Sequence, residues 1–154
     1  MVLDIDRFKQ INDRFGHAGG DAVLKMLAAV CRSAAGPGGT VGRLGGEEFG
    51  ILLPAATLAE ATLVAERLRI ALAACACPPV GPAGAAEIPS EPIRFTASFG
   101  VAEATADTAA GLDELLAVAD RRLYRAKETG RDRVVAGDPP AAEVTSADTR
   151  PSQP

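Results

Sequence analysis

The tetrapeptide Gly45-Gly46-Glu47-Glu48 lies between two short apolar runs, Val41 to Leu44 and Phe49 to Leu53, and it constrains the fold more than any other stretch. Two runs of strand length around a glycine pair predict a β-hairpin, because glycine supplies at no steric cost the positive φ angles of a tight turn. Such a hairpin carries two carboxylates at its tip.

The segments on either side of the hairpin complete the pattern. Val2 to Ile5 is apolar and ends among aspartates, which predicts a buried strand delivering charge to its tip. Phe8 to Asp13 is polar and predicts a connection. From Asp21, the residues Val23, Leu24, Leu27, Ala28 and Cys31 recur at helical spacing as far as Ala35, where Gly36-Pro37-Gly38-Gly39 stops them. After the hairpin, Thr57-Leu58-Ala59-Glu60 has the form of a capping box, and Ala61, Val64, Ala65, Leu68 and Leu72 mark one helix face before Cys77-Pro78-Pro79. Ile93, Phe95, Ala97, Phe99 and Val101 alternate with smaller or polar residues, predicting a strand with one apolar face. A further helical stripe runs from Leu112 through Leu115, Leu116, Ala119, Leu123 and Ala126 to Gly130, and Arg133 to Ala136 reads as a last short strand.

This order predicts an α+β fold: a ferredoxin-like βαββαβ core with an antiparallel central sheet, extended by one helix and one strand. Residues 1–136 read as one domain. The Pro/Gly/Ala-rich stretch 78–92 reads as an exposed loop, and the Pro, Ala, Ser and Thr of 137–154 as a disordered tail.

A formal net charge of -4 removes the general attraction that duplex DNA or an anionic bilayer would exert. No stretch approaches the ~20 apolar residues of a membrane span, and the start lacks the order of a signal peptide, so a cytoplasmic location is expected. The single histidine, His17, excludes sites built from several imidazoles and reads as part of a structural turn. Cys31, Cys75 and Cys77 read as buried or idle thiols. Any metal must therefore sit on carboxylates.

In a ferredoxin-like sheet the first strand neighbours the hairpin, which places Asp4 and Asp6 near Glu47 and Glu48. Four carboxylates in one small region repel one another unless a cation sits among them, and an oxygen-only donor set favours Mg²⁺ or Mn²⁺. Mg²⁺ on one or two carboxylates commonly completes its shell with water and substrate phosphates, which points to a nucleoside triphosphate. Ordinary surface acids on a solvated hairpin tip are the other reading. Lys127 and Arg131, four residues apart, could share a helix face and meet phosphate, or simply complement a helix C-terminus.

Gly45-Gly46-Glu47-Glu48-Phe49 resembles the signature of the GGDEF family of diguanylate cyclases, which share a polymerase-palm, nucleotidyl-cyclase-like fold. Asp4-Ile5-Asp6-Arg7-Phe8-Lys9-Gln10-Ile11-Asn12-Asp13 with Gly16-His17 and Gly20-Asp21 resembles the family's first-strand block, and Tyr124-Arg125-Ala126-Lys127 through Gly130-Arg131 its closing block. The resemblance runs from the first residues to Val135. It implies a Mg²⁺-dependent (or Mn²⁺-dependent) enzyme that condenses two GTP molecules into cyclic di-GMP, active as a dimer of domains. It further implies that Asp4, Glu47 and Glu48 bind the metals with the Ile5 carbonyl, and that Asn12 and Asp21 hold the guanine edge. Lys9, Lys127 and Arg131 would hold phosphates, and Gly45 and Gly46 would let the nucleotide approach the backbone.

Two departures qualify the resemblance. Family members carry a helix and an Asn-Arg-containing turn before the first strand, so the chain reads as lacking its N-terminal helix, with a sensor or a missing N-terminal region as a further expected partner. The inhibitory Arg-x-x-Asp that often precedes the signature is replaced by Gly36-Pro37-Gly38-Gly39, which predicts no product inhibition through that site. A catalytically inactive module that binds GTP or a protein partner is the alternative function.

Overall fold

The computed structural model describes residues 1–80 and 91–138. Most of the expected 78–92 loop and of the 137–154 tail lies outside the described residues. The elements run β1 (Val2–Ile5), α1 (Phe8–Ala35), β2 (Thr40–Arg43), β3 (Glu48–Leu52), α2 (Leu58–Ala74), β4 (Ala97–Gly100), α3 (Leu112–Glu128) and β5 (Val134–Val135). They form one five-stranded sheet in the order β2-β3-β1-β4-β5. The β2–β3, β3–β1 and β1–β4 pairs are antiparallel, as a split βαββαβ core requires, and the added β5 runs parallel to β4.

Alternation along β1 divides the core into two layers. Leu3 and Ile5 face α1 and α2 with Phe49, Ile51, Phe99, Leu27 and Leu68, whereas Val2 faces α3 with Ala119 and Leu123. The capping box of α2 is present, with Thr57 accepting from the Glu60 amide while the Glu60 carboxylate accepts from the Thr57 amide.

Three expectations are corrected. Phe8 to Asp13 is the start of α1, because Phe8, Ile11 and Phe15 recur at helical spacing and bury against the core among polar neighbours. The helix breaks once, at Gly16, where φ is 70° and ψ 173°. The strand expected from Ile93 to Val101 forms a ladder only over Ala97–Gly100, which is buried on both faces. Ile93 instead makes a two-bond bridge with Cys77 that closes the base of the intervening segment. Finally, Gly45 and Gly46 are absent from the positive-φ residues, so the hairpin turn does not use the glycines' conformational freedom.

The thiols are free, as expected; Cys31 and Cys77 are buried, and burial pushes Cys31 up to about 12. Among the described residues no helix is long and apolar enough to cross a membrane.

A buried ion-pair group ties α3 to the segments around it. Arg122, 4% exposed at its side chain, donates to both oxygens of Asp107, to the Val101 carbonyl and to Asp138. Asp138, at the edge of the expected tail, also pairs with Arg121. The Arg122 hydrogen bond holds the Asp107 carboxyl below the usual carboxylate range, against an opposing burial effect. A depressed folded-state pKa stabilises fully above the unfolded value of about 4 and is lost as pH falls through the lower folded value. Asp107→Asn is therefore expected to flatten the acid limb of a melting-temperature-against-pH curve, while lowering stability at neutral pH by about 3 kcal/mol.

Candidate active site

The site is built where β1 ends beside the hairpin. Asp4 stands in register with Glu48 on β3 and with Ser98 on β4, so these side chains share the α3 face of the sheet. The Ile5 amide donates to the Glu47 carbonyl at 3.4 Å, which brings the backbone of the two metal-site candidates together. Glu47 and Glu48 are half-buried. Leu44 and Gly45 donate their amides to the Glu48 carbonyl, closing the turn.

Arg43, which sequence reasoning passed over, supports that turn: its guanidinium donates to the carbonyls of Gly45 and Gly46. The signal was a cation two residues before a glycine pair, too common to single out. A Cβ on Gly46 would meet nothing within 4 Å, and one on Gly45 would touch only the Glu48 side chain. The surface above the hairpin is thus open.

Asp4 is desolvated, with 12% of its side chain exposed, and its carboxylate meets the Lys127 ammonium at 2.9 Å. Burial pushes its pKa up, Lys127 opposes this, and the charges of Glu47 and Glu48 push it further up. Lys127 occupies the last turn of α3, but Arg131 lies beyond the helix end with φ 63°, its amide bonded to the Ala126 carbonyl. The two cations therefore do not share a helix face, contrary to the spacing argument. Lys127 lies on Asp4, and Arg131 lines a cleft with Asp6 and Arg7.

Asp6 is not part of the acidic cluster. Its oxygens accept from the Thr96 and Ser98 hydroxyls at 2.7 Å and from the Asp132 amide at 3.0 Å, so it fastens β4 and the α3–β5 turn to the end of β1. Asp6 thus drops out of the expected group of four, and the ladder sets Asp4 opposite Glu48. On α1, Lys9 is exposed in the first turn, Asp21 is exposed beyond the Gly16 break, and Asn12 packs against Gly20 so closely that a Cβ there would fall on its Oδ1. The small residue at 20 brings Asn12 alongside the backbone next to Asp21. His17 is exposed and takes part in none of these contacts.

A palm-type sheet with paired acids at the tip of its central strand and hairpin defines the class: a nucleotidyl-cyclase-like domain. The family described as "Diguanylate cyclase, GGDEF domain" matches residues 1–133, and the chain belongs to that family. It is 42% identical over 133 residues to the diguanylate cyclase DgcP of Pseudomonas aeruginosa, covering 86% of this chain and 18% of that protein. It is also similar to the GGDEF domain of PA1120 (YfiN or TpbB) from P. aeruginosa, with a TM-score of 0.74 and 33% identity over 87% of this chain and 78% of that one. The active GGEEF domain of a diguanylate cyclase from Vibrio cholerae matches with a TM-score of 0.70 and 31% identity, over 87% and 78% of the two chains. The chain spans 18% of the length of DgcP and 30% of that of the diguanylate cyclase DgcM of Escherichia coli, to which it is 43% identical over 88% of this chain.

Proposed function

We propose that this chain is one half-site of a diguanylate cyclase, binding one GTP and joining it to a second GTP held by a facing copy of the domain, to give cyclic di-GMP and two molecules of pyrophosphate. The observation that carries this reading is the register of Asp4 against Glu48 at the tip of the Gly45 to Phe49 hairpin.

The donor set fits Mg²⁺ or Mn²⁺. Asp4, Glu47 and Glu48 with the Ile5 carbonyl offer hard oxygens only, and the burial that raises Asp4, with a smaller push from the charges of Glu47 and Glu48, is what a cation would offset. Among the described residues no group of three or more such side chains forms a ready-made metal cage. Mg²⁺ is ordinarily held by one or two carboxylates together with substrate phosphates, so an open pair across a ladder is the appropriate protein share. When bound, the ion would lower the pKa of the attacking hydroxyl and neutralise charge on the phosphoryl group.

The remaining side chains bind and orient. Asn12 and Asp21 offer an amide and a carboxylate to the donors and acceptors of a guanine edge. Lys9, Lys127 and Arg131 supply cations for the phosphates, Lys127 leaving Asp4 to do so. The open surface at Gly45 and Gly46 lets the nucleotide approach the backbone. In the facing pair, each 3′-hydroxyl would attack the opposite α-phosphorus, forming a P–O bond as the bond to pyrophosphate breaks; the second domain supplies the orientation.

The test is to incubate the chain, fused to a dimerising segment, with GTP or ATP and Mg²⁺, and to read the product by mass spectrometry. Cyclic di-GMP from GTP alone is expected. A folded dimer that binds GTP and yields none would leave a binding module.

Gly20→Ala gives a second check. The added methyl would displace the Asn12 amide, a flexible group, while alanine favours the helix by about 1 kcal/mol. GTP affinity is expected to fall about tenfold with the unfolding midpoint near that of the parent, because a lost polar contact is worth roughly this much. Calorimetric titration and a thermal melt separate the two effects.

A further inference from the structure

Three consecutive residues between α3 and β5 have positive φ: Gly130 at 127°, Arg131 at 63° and Asp132 at 44°. Glycine adopts such a backbone freely, but two successive L side chains in the left-handed region are strained, and the surrounding structure must hold them there. Within the turn, the Arg131 amide donates to the Ala126 carbonyl and the Arg133 Nε donates to the Arg131 carbonyl. Two further contacts come from outside. Arg69 on α2 donates to the Asp132 carboxylate at 2.9 Å, a partly exposed pair that solvent screens. Asp6, at the end of β1, accepts from the Asp132 amide at 3.0 Å.

The contact from Asp6 is the more constraining. Asp6 is 8% exposed. Its Oδ2 takes the Thr96 hydroxyl as well as the Asp132 amide, its Oδ1 takes the Ser98 hydroxyl, and its own amide donates to the Thr96 carbonyl. The carboxylate cannot rotate without leaving a donor unpaired, which makes its position a property of β1 and β4. That position is passed through one hydrogen bond to residue 132. The residue before it, Arg131, is exposed and has no carboxylate partner among the described residues. A buried acid thus fixes the strained backbone from which an unpaired guanidinium departs.

We infer, resting on the GTP site proposed above, that Asp6 is a positioning residue for Arg131. By holding the Asp132 amide it keeps the left-handed turn in place and so fixes where the Arg131 guanidinium stands. It acts through Arg131 and not on the metal, although the sequence places it two residues from Asp4.

The experiment titrates the whole chain calorimetrically with guanosine α,β-methylene triphosphate, which cannot lose pyrophosphate, in the presence of Mg²⁺, beside a thermal melt of each variant. Asp6→Ala is expected to weaken binding about tenfold in the parent, the scale of one charge-assisted hydrogen bond, and by less than about twofold in an Arg131→Gln background, where the contact it serves is already gone. Asp6→Ser, whose side chain is one atom too short to reach the Asp132 amide, carries the same test where Asp6→Ala does not fold. Asp6→Asn should bind within about twofold of the parent, because its carbonyl can accept from Thr96 and Asp132 while its amide donates to the Ser98 hydroxyl. Thr96→Val, which leaves the bond to Asp132, should lower the melting temperature without changing affinity. Equal losses in the parent and Arg131→Gln backgrounds, parent-like affinity in folded Asp6→Ala or Asp6→Ser, or a tenfold loss in Asp6→Asn, as a metal ligand would give, would overturn the inference while leaving the GTP site standing. A folded parent that does not bind the analogue would instead overturn the GTP site itself.

Discussion

Glu48→Gln is expected to reduce cyclic di-GMP formation by about a thousandfold, since charge stabilisation by a bound metal is worth several kcal/mol and ~4 kcal/mol is three powers of ten in rate. Glu48 is placed by the β1–β3 ladder opposite Asp4, so the substitution removes one charge from the pair without moving a backbone atom. Glutamine keeps the size and the half-buried setting of the side chain, and removing a carboxylate from beside Asp4 relieves repulsion. The thermal midpoint is therefore expected to stay at or slightly above that of the parent. Product formation read by mass spectrometry, beside a melt of the same preparation, checks both halves. Parent-like turnover would remove Glu48 from the chemistry.

Gly100→Ala is expected to destabilise the domain by about 3 kcal/mol or more, which for a chain of this length lowers the melting temperature by roughly 10 °C. A Cβ at this position would fall onto the carbonyl oxygen of Ala119 and the amide nitrogen of Leu123, both backbone atoms of α3. No rotamer change can relieve the overlap, so either the helix lifts from β4 or the strand bends. Lifting α3 would also draw Lys127 away from Asp4. At Gly46, by contrast, an added methyl meets no atom within 4 Å, so Gly46→Ala should melt with the parent. Differential scanning calorimetry of the two variants side by side tests the contrast.

Much of this architecture was legible because its signals are local. The hairpin, α2 with its capping box, and α3 each carry their periodicity and stop signals within the element, and their order was enough to give the split βαββαβ core. The start of α1 was hidden because its buried Phe8, Ile11 and Phe15 are separated by Lys9, Gln10, Asn12, Asp13 and Arg14, a pattern that looks polar unless three apolar residues are weighed above five polar ones. The end of the strand before β4 was hidden because Ile93 alternates correctly yet pairs with Cys77 outside the sheet.

The site divides in the same way. Asp4 and Glu48 could be brought together from strand adjacency alone. Asp6 could not be separated from them, since two residues of spacing say nothing about the Thr96 and Ser98 hydroxyls that take up its oxygens. Helical spacing also misplaced Arg131, because the helix ends at Glu128 and the backbone turns into a left-handed conformation.

The pairing of β1 with β3 sets a tolerance on the acidic site that no ligand-binding residue controls. Leu3 faces Phe49 and Asp4 faces Glu48 in the same ladder. A slip of one residue would bring Glu47 opposite Asp4, so the sequence offers a carboxylate in either alignment. The slipped hairpin would also turn Phe49, 5% exposed and part of the layer beneath α1 and α2, to the opposite face of the sheet. The cost of turning Phe49 and the equally buried Ile51 out of that layer thus decides which of two adjacent glutamates stands across from the aspartate.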